Sequence, residues 1–130
     1  LQGLDSAACN DLTPRDAPQH PKTKAPLARY VAWVQLGQRN LGRTLEACCA
    51  DFAVDEVGLV TVEGLHLPVQ HQPHLRRWVV DLAGSRFSEI HAPYVSWFSD
   101  DWPYFYTNDV HHARLLCGSG SRGRQVIPVS

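Results

Sequence analysis

Apolar residues first settle into a helical period near residue 27. Leu27, Tyr30, Val31 and Val34 fall on one face, Gln38 continues it, and Trp33 sits at its border. That spacing of i, i+3, i+4 and i+7 predicts an amphipathic helix over residues 27–37. Pro26 suits its first turn and Gly37 its end. Leu41, Thr44, Leu45 and Cys48 share the face of a second predicted helix over 40–50, with Asn40 as its cap. Phe52 to Val57 then reads as a strand, and Leu59 to Glu63 continues the β signal after Gly58. Pro73 opens a third predicted helix over 73–83, with Leu75, Trp78, Val79 and Leu82 on one face and Asp81 off it.

From Ser88 the period changes to two. Glu89 to Phe98 and Trp102 to His112 read as antiparallel strands joined by a turn at 99–101. Gly118 to Gly123, rich in glycine and serine, reads as a turn before a last strand over 124–129. Helices early and strands late give an α+β class rather than alternating βα units. In the two long strands both faces carry large rings: Tyr94 and Phe98 oppose Val95 and Trp97, while Trp102, Tyr104 and Tyr106 oppose Phe105. A sheet with one wet face alternates apolar with polar. Both faces are therefore expected to be covered, one by the helices and the other by a second copy of the chain, giving a homodimer through the aromatic sheet face, with burial under the chain's own leader as the alternative.

Length changes little: 130 residues make one domain of ordinary size. Residues 1–26 hold four prolines and no period, and read as a leader, partly extended or disordered, ahead of the folded domain at 27–130. A net charge of −1 argues against a basic nucleic-acid footprint. No apolar run approaches the ~20 residues that span a bilayer, and the first residues lack the order of a signal peptide. Cys48 and Cys49 are adjacent within a helical pattern, and no CxxC pair occurs. The four cysteines are therefore expected to be small buried hydrophobes in a reducing cytoplasm. His66, His71 and His74 fit no zinc spacing, so no metal is expected.

Three pieces then combine. They are Arg29-Tyr30-Val31-Ala32 with Val34 and Gly37, then Ala50-Asp51-Phe52-Ala53-Val54-Asp55-Glu56-Val57-Gly58, and the late Arg122-Gly123-Arg124-Gln125-Val126. With Phe87-Ser88-Glu89-Ile90 between them, this order resembles the NTF2-like superfamily, in its ketosteroid isomerase and SnoaL-type polyketide cyclase branch, over about residues 27–127. The resemblance implies a cone: a curved antiparallel sheet wrapped around N-terminal helices, with a blind apolar pocket. It also implies a small apolar, cyclic ligand and, where there is turnover, a cofactor-independent isomerase or lyase. Tyr30 stands where that family places an oxyanion donor, and Asp55 or Glu56 where it places the proton-transferring carboxylate. The place of the second donor is apolar, at Val126-Ile127-Pro128-Val129.

Asp55 and Glu56 are adjacent on a strand, so one at most points inward. A carboxylate facing a dry pocket has a raised pKa and serves as acid or base. Asp109 and His111 share a strand face with Phe105 and Thr107 and form a second candidate proton-shuttling pair. The expected site is therefore Asp55, Tyr30 and Asp109 as catalytic groups, with Trp33, Val34, Phe105, Thr107 and His111 lining the pocket. Two other readings stay open. One is a binding module of the same fold without turnover. The other is an interaction protein in which the aromatic sheet is an interface.

Overall fold

The computed structural model describes residues 29–98 and 102–129. The expected leader and the turn at 99–101 lie outside them. The elements run β1 (Tyr30–Val31), β2 (Val34–Gln35), a 3₁₀ turn (Gln38–Asn40), α1 (Leu45–Ala50) and β3 (Glu56–Gly58). Three single-turn helices follow, α2 (Thr61–Gly64), α3 (Leu67–Gln70) and α4 (Gln72–Leu75). The rest is β4 (Val79–Leu82), β5 (His91–Phe98), β6 (Trp102–Asp109), β7 (Cys117–Gly123) and β8 (Ile127–Pro128). The class is α+β with a curved sheet, and the helices are few and short.

Three expected helices need correction. Where a helix is expected over 27–37, the described part is β1 and β2, two short strands paired to β8 and β7. Tyr30, Val31 and Val34 satisfy a helical period by coincidence. Their β-branched and aromatic side chains favour extended backbone, and Gly37, with φ 88°, makes the turn after β2. The second helix keeps only residues 45–50, because Thr44 rather than Asn40 caps it: Thr44 Oγ1 accepts from the Ala47 N–H at 3.1 Å. The third stops after one turn at Leu75, and Val79-Val80 leaves it to become β4. Leu59 to Glu63, expected as strand, turns into α2. The hairpin is as expected. β5 and β6 pair antiparallel from His91–Asp109 to Phe98–Trp102.

The main sheet runs β2-β7-β4-β5-β6, with β3 also on β7. The strands after residue 89 are not all antiparallel, since β7 runs parallel to β4. β7 is the centre of the fold, and this is the segment expected to be a turn. Its glycines serve close approach, not reversal. A Cβ on Gly118 would lie 2.0 Å from the Gly37 carbonyl oxygen, and one on Gly120 would lie 2.8 Å from Leu59 and Val80 side-chain carbons. Its free edge beside Ser119 is closed by a side chain: Asn40 Oδ1 accepts from the Ser119 N–H at 2.9 Å, and Asn40 Nδ2 donates to the Ser119 carbonyl at 3.3 Å.

Two cores result. Leu59, Leu67, Leu75, Val80, Leu82 and Val95 pack where α2–α4 cover one sheet face. Leu45, Cys48, Cys49, Phe52, Ala83, Ala92 and Val110 pack where α1 covers the other. The cysteine expectation also needs correction. Cys48 and Cys117 are free and buried, but Cys49 is disulfide-bonded. Among the described residues no helix is long and apolar enough to cross a membrane.

Candidate functional site

The residues expected to form a catalytic site are not brought together. Tyr30, on β1, is locked in a buried polar knot. Its hydroxyl donates to Glu63 Oε2 at 2.7 Å, and Arg122 Nε donates to the same oxygen at 2.6 Å. Glu63 Oε1 accepts from the Val60 N–H at 2.9 Å, and Arg122 also donates to the carbonyls of Gly123 and Arg124. Burial, then the bond to Glu63, pushes the Tyr30 phenol well above its ordinary range. The knot uses its own donors and acceptors, so it reads as structural support for α2.

Asp55 is exposed rather than inward, and among the described residues its carbonyl accepts from the Arg124 N–H at 2.7 Å. Its neighbour Glu56 is the inward carboxylate. Burial alone would raise its pKa, but hydrogen bonds from Ser121 and the Ala53 N–H, with Arg39 beside it, outweigh that and hold it below the usual range. Glu56 is thus an ionised anchor rather than a base. Trp33 is 89% exposed and Val34 37% exposed, so neither is an interior wall. Asp109, half-buried, accepts from the His111 N–H at 2.7 Å in the turn after β6. His111 itself is exposed and lies 3.3 Å from Glu46. Phe105 and Thr107 lie on β6 with their backbone partners Val95 and Pro93. Tyr30 and Asp109 belong to separate sheets.

The sheet instead assembles a different group. Asp81 on β4 stands in register with Tyr94 on β5 and Ser119 on β7, and Tyr94 stands in register with Tyr106 on β6. Residues in register share a face. Asp81 is 4% exposed, and its Oδ1 has no hydrogen-bond partner among the described residues. Burial drives its carboxyl up to about 7, against the opposing pull of nearby Arg114 and of a hydrogen bond with Asn108. Cys117, two residues before Ser119, is pushed up to about 11 by burial and then by Asp81. Burial likewise raises Tyr94, with Tyr104 adding to it and Arg114 offsetting it through charge and a hydrogen bond. Cys48 is raised by burial as well, so neither free thiol is a reactive thiolate near neutral pH.

This line of polar groups ends at an open aromatic surface. Tyr94, Tyr104 and Tyr106 form a mutual cluster with ring centroids 6.1–6.5 Å apart. Tyr94 is buried, whereas Tyr106 is 63% and Trp102 60% exposed. On the opposite face of the same strand Phe105 is 37% exposed. β6 ends the strand order, and among the described residues nothing pairs with its outer edge.

Sequence reasoning finds the hairpin rings but misses Asp81, Asn108, Arg114 and Cys117. For Asp81 a signal is present: a lone carboxylate within the apolar run Val79-Val80-Asp81-Leu82-Ala83. The helical reading turns it outward. Among the described residues no three metal-ligating side chains come together, and His74 is spent on the Leu36 carbonyl at 3.0 Å. No family model matches the chain, and neither does any curated protein or solved structure.

Proposed function

We propose that this chain is a non-catalytic binding module whose contact surface is the aromatic β5–β6 hairpin. The observation that carries the reading is the exposure of Trp102 and Tyr106 on one face of a strand that also exposes Phe105 on the other. Exposed aromatic rings that cluster, rather than scatter singly, mark contact sites in soluble domains. Tyrosine and tryptophan offer large contact area with little rotamer entropy to lose. The hairpin beneath them is anchored by eight residue pairs, so the rings stand on a rigid base.

Proton transfer on a small cyclic substrate, which the NTF2-like resemblance implies, has weaker support. Its expected carboxylates are an exposed aspartate and the half-buried last residue of β6, which accepts from the His111 N–H, and its expected donor Tyr30 is bound to Glu63. Asp81 has the right acidity but lies beneath the face and contributes to the pH response of the fold. The cone itself is supported only as far as a curved sheet with helices on its faces. The Cys49 disulfide favours an oxidising compartment over a reducing cytoplasm as the place of action.

The test is a titration with anilinonaphthalene sulfonate, a flat aromatic probe, at nanomolar protein. Saturable binding is expected for the wild type, weakened about tenfold or more in a Trp102→Ser/Tyr106→Ser variant, since each lost ring contact is worth ~1 kcal/mol. Equal binding by both proteins would place the contact surface elsewhere.

A further inference from the structure

The outer edge of β6 has a polarity that can be worked out from its prolines. Pro103 pairs with Trp97, and Pro93 pairs with Thr107. Proline has no N–H to give to a ladder. In an antiparallel pair, hydrogen-bonded and non-hydrogen-bonded positions alternate. Both prolines fall at positions of one parity, so that parity is the non-hydrogen-bonded one. It follows that Phe105 and Thr107 turn their N–H and C=O groups away from β5, toward the open edge.

Among the described residues that edge lacks the usual protection. Edge strands are commonly blunted by charges, by proline or by shortness. β6 is eight residues long, and Trp102 to Asn108 carry no charge; Pro103 is the only blocking residue in that run, and it lies near one end. Rings are exposed on both sheet faces of this one strand, Trp102 and Tyr106 on one and Phe105 on the other. A partner laid flat on either face would leave the opposite rings wet. A strand added at the edge flanks both.

We propose that β6 is a self-association edge, to which a second copy of the chain adds its own β6 antiparallel about a two-fold axis at Phe105. The proposal rests on the binding-module reading and names its partner. In this register Phe105 meets its own copy and exchanges both backbone hydrogen bonds with it. Thr107 donates its N–H to the carbonyl of Pro103 of the partner subunit, so the missing proline N–H costs only the return bond. On one face Tyr104 comes opposite Tyr106 of the partner subunit, an aromatic cross-strand pair of the stabilising kind. No like charges come opposite one another between positions 102 and 108, and the one like-charge pair of this register falls at its ends, where Asp109 faces Asp101 of the partner subunit. The strand is therefore complementary to itself, as an isologous interface requires. It carries no charge pattern with which to select a foreign strand.

Sedimentation of the full chain across nanomolar to micromolar concentration, with amide exchange at Phe105 and Thr107, tests this. The wild type should pass from monomer to dimer, and both amides should gain protection in step. Thr107→Pro removes an outward N–H that bonds nothing within the hairpin, leaves every ring in place, and should give a folded monomer. Tyr106→Lys should weaken the dimer at least tenfold. A dimer that survives Thr107→Pro, or dimerisation without protection at Phe105 and Thr107, would mean that the faces rather than the edges meet, and would overturn the proposal. A wild type that stays monomeric at micromolar concentration would also overturn it. The binding-module reading would then stand or fall separately, on whether the dye still binds in a manner that depends on Trp102 and Tyr106. Should Thr107→Pro fail to fold, the wild-type exchange pattern still decides.

Discussion

Replacing Asp81 by asparagine should stabilise this protein, and by an amount set by pH. The side chain keeps its shape and an acceptor oxygen toward Asn108, exchanges the unpartnered Oδ1 for an NH2 group, and loses the ability to ionise. In the folded chain the Asp81 carboxyl is pushed up to about 7, burial being the main cause. In the unfolded chain it titrates near ~3.9. Between those values the folded state holds a proton that the unfolded state has released, so wild-type stability falls as pH rises through this window. Below ~pH 4 both states are protonated and the site costs nothing, while above about pH 7 both are ionised and the loss is complete. About three pH units at ~1.36 kcal/mol each give roughly 4 kcal/mol. The asparagine variant has no such dependence. The two proteins should therefore have similar stability near pH 4 and diverge steadily to pH 7, with the variant ahead. Urea unfolding across that range measures it. With a slope of ~2 kcal/mol/M the midpoints should separate by about 2 M at ~pH 7.5 and hardly at all at ~pH 4. A difference that does not change with pH, or a variant less stable than wild type above neutrality, would refute the argument that Asp81 is a buried and incompletely compensated acid.

Two further outcomes follow from the buried polar knot and the central strand. Glu63→Ala leaves Arg122 buried without its carboxylate, and Tyr30 without its acceptor, and should cost about 3–5 kcal/mol in chemical unfolding, the scale for breaking a buried ion pair. Gly118→Ala drives a methyl group into the Gly37 backbone, where neither strand can yield. It should cost about 3 kcal/mol or abolish folding, visible as a lowered melting temperature or loss of soluble protein.

How much of this is readable in the chain depends on element length. β5 and β6 hold a period of two over eight residues each, and their pairing is legible from that alternation. β1 and β2 are two residues each, too short for any period to identify, and their state is set by partners far away in sequence. The Gly118-Ser-Gly120-Ser run misleads because glycine has two uses. It permits turns, and it permits backbones to approach closely. Only the second applies here, and Gly37 and Leu59, the neighbours that require it, lie far off in sequence. The polar site is obscured in the same way. A helical period puts Asp81 on the wet side, and Val79-Val80, a β-branched pair, is the weaker but correct signal. Tyr30 stands out in the sequence on an apolar face, and the structure half-buries it, on a strand rather than a helix. Its partner is not legible there, since Glu63 follows a β-rich run and yet belongs to α2.

Hydroxyl-radical footprinting of the 130-residue chain as a function of its concentration tests the central claim most directly. At nanomolar protein Trp102 and Tyr106 should be oxidised rapidly and Tyr94 slowly. At micromolar protein Trp102, Tyr104 and Tyr106 should become protected together, while exposed Trp33, which is not on the hairpin, keeps its reactivity. Protection of Trp102 and Tyr106 at every concentration would mean that the chain covers its own hairpin, and reactivity that neither concentration nor added aromatic dye lowers would mean that nothing docks there. Either result would contradict the account of the hairpin as the working surface of this protein.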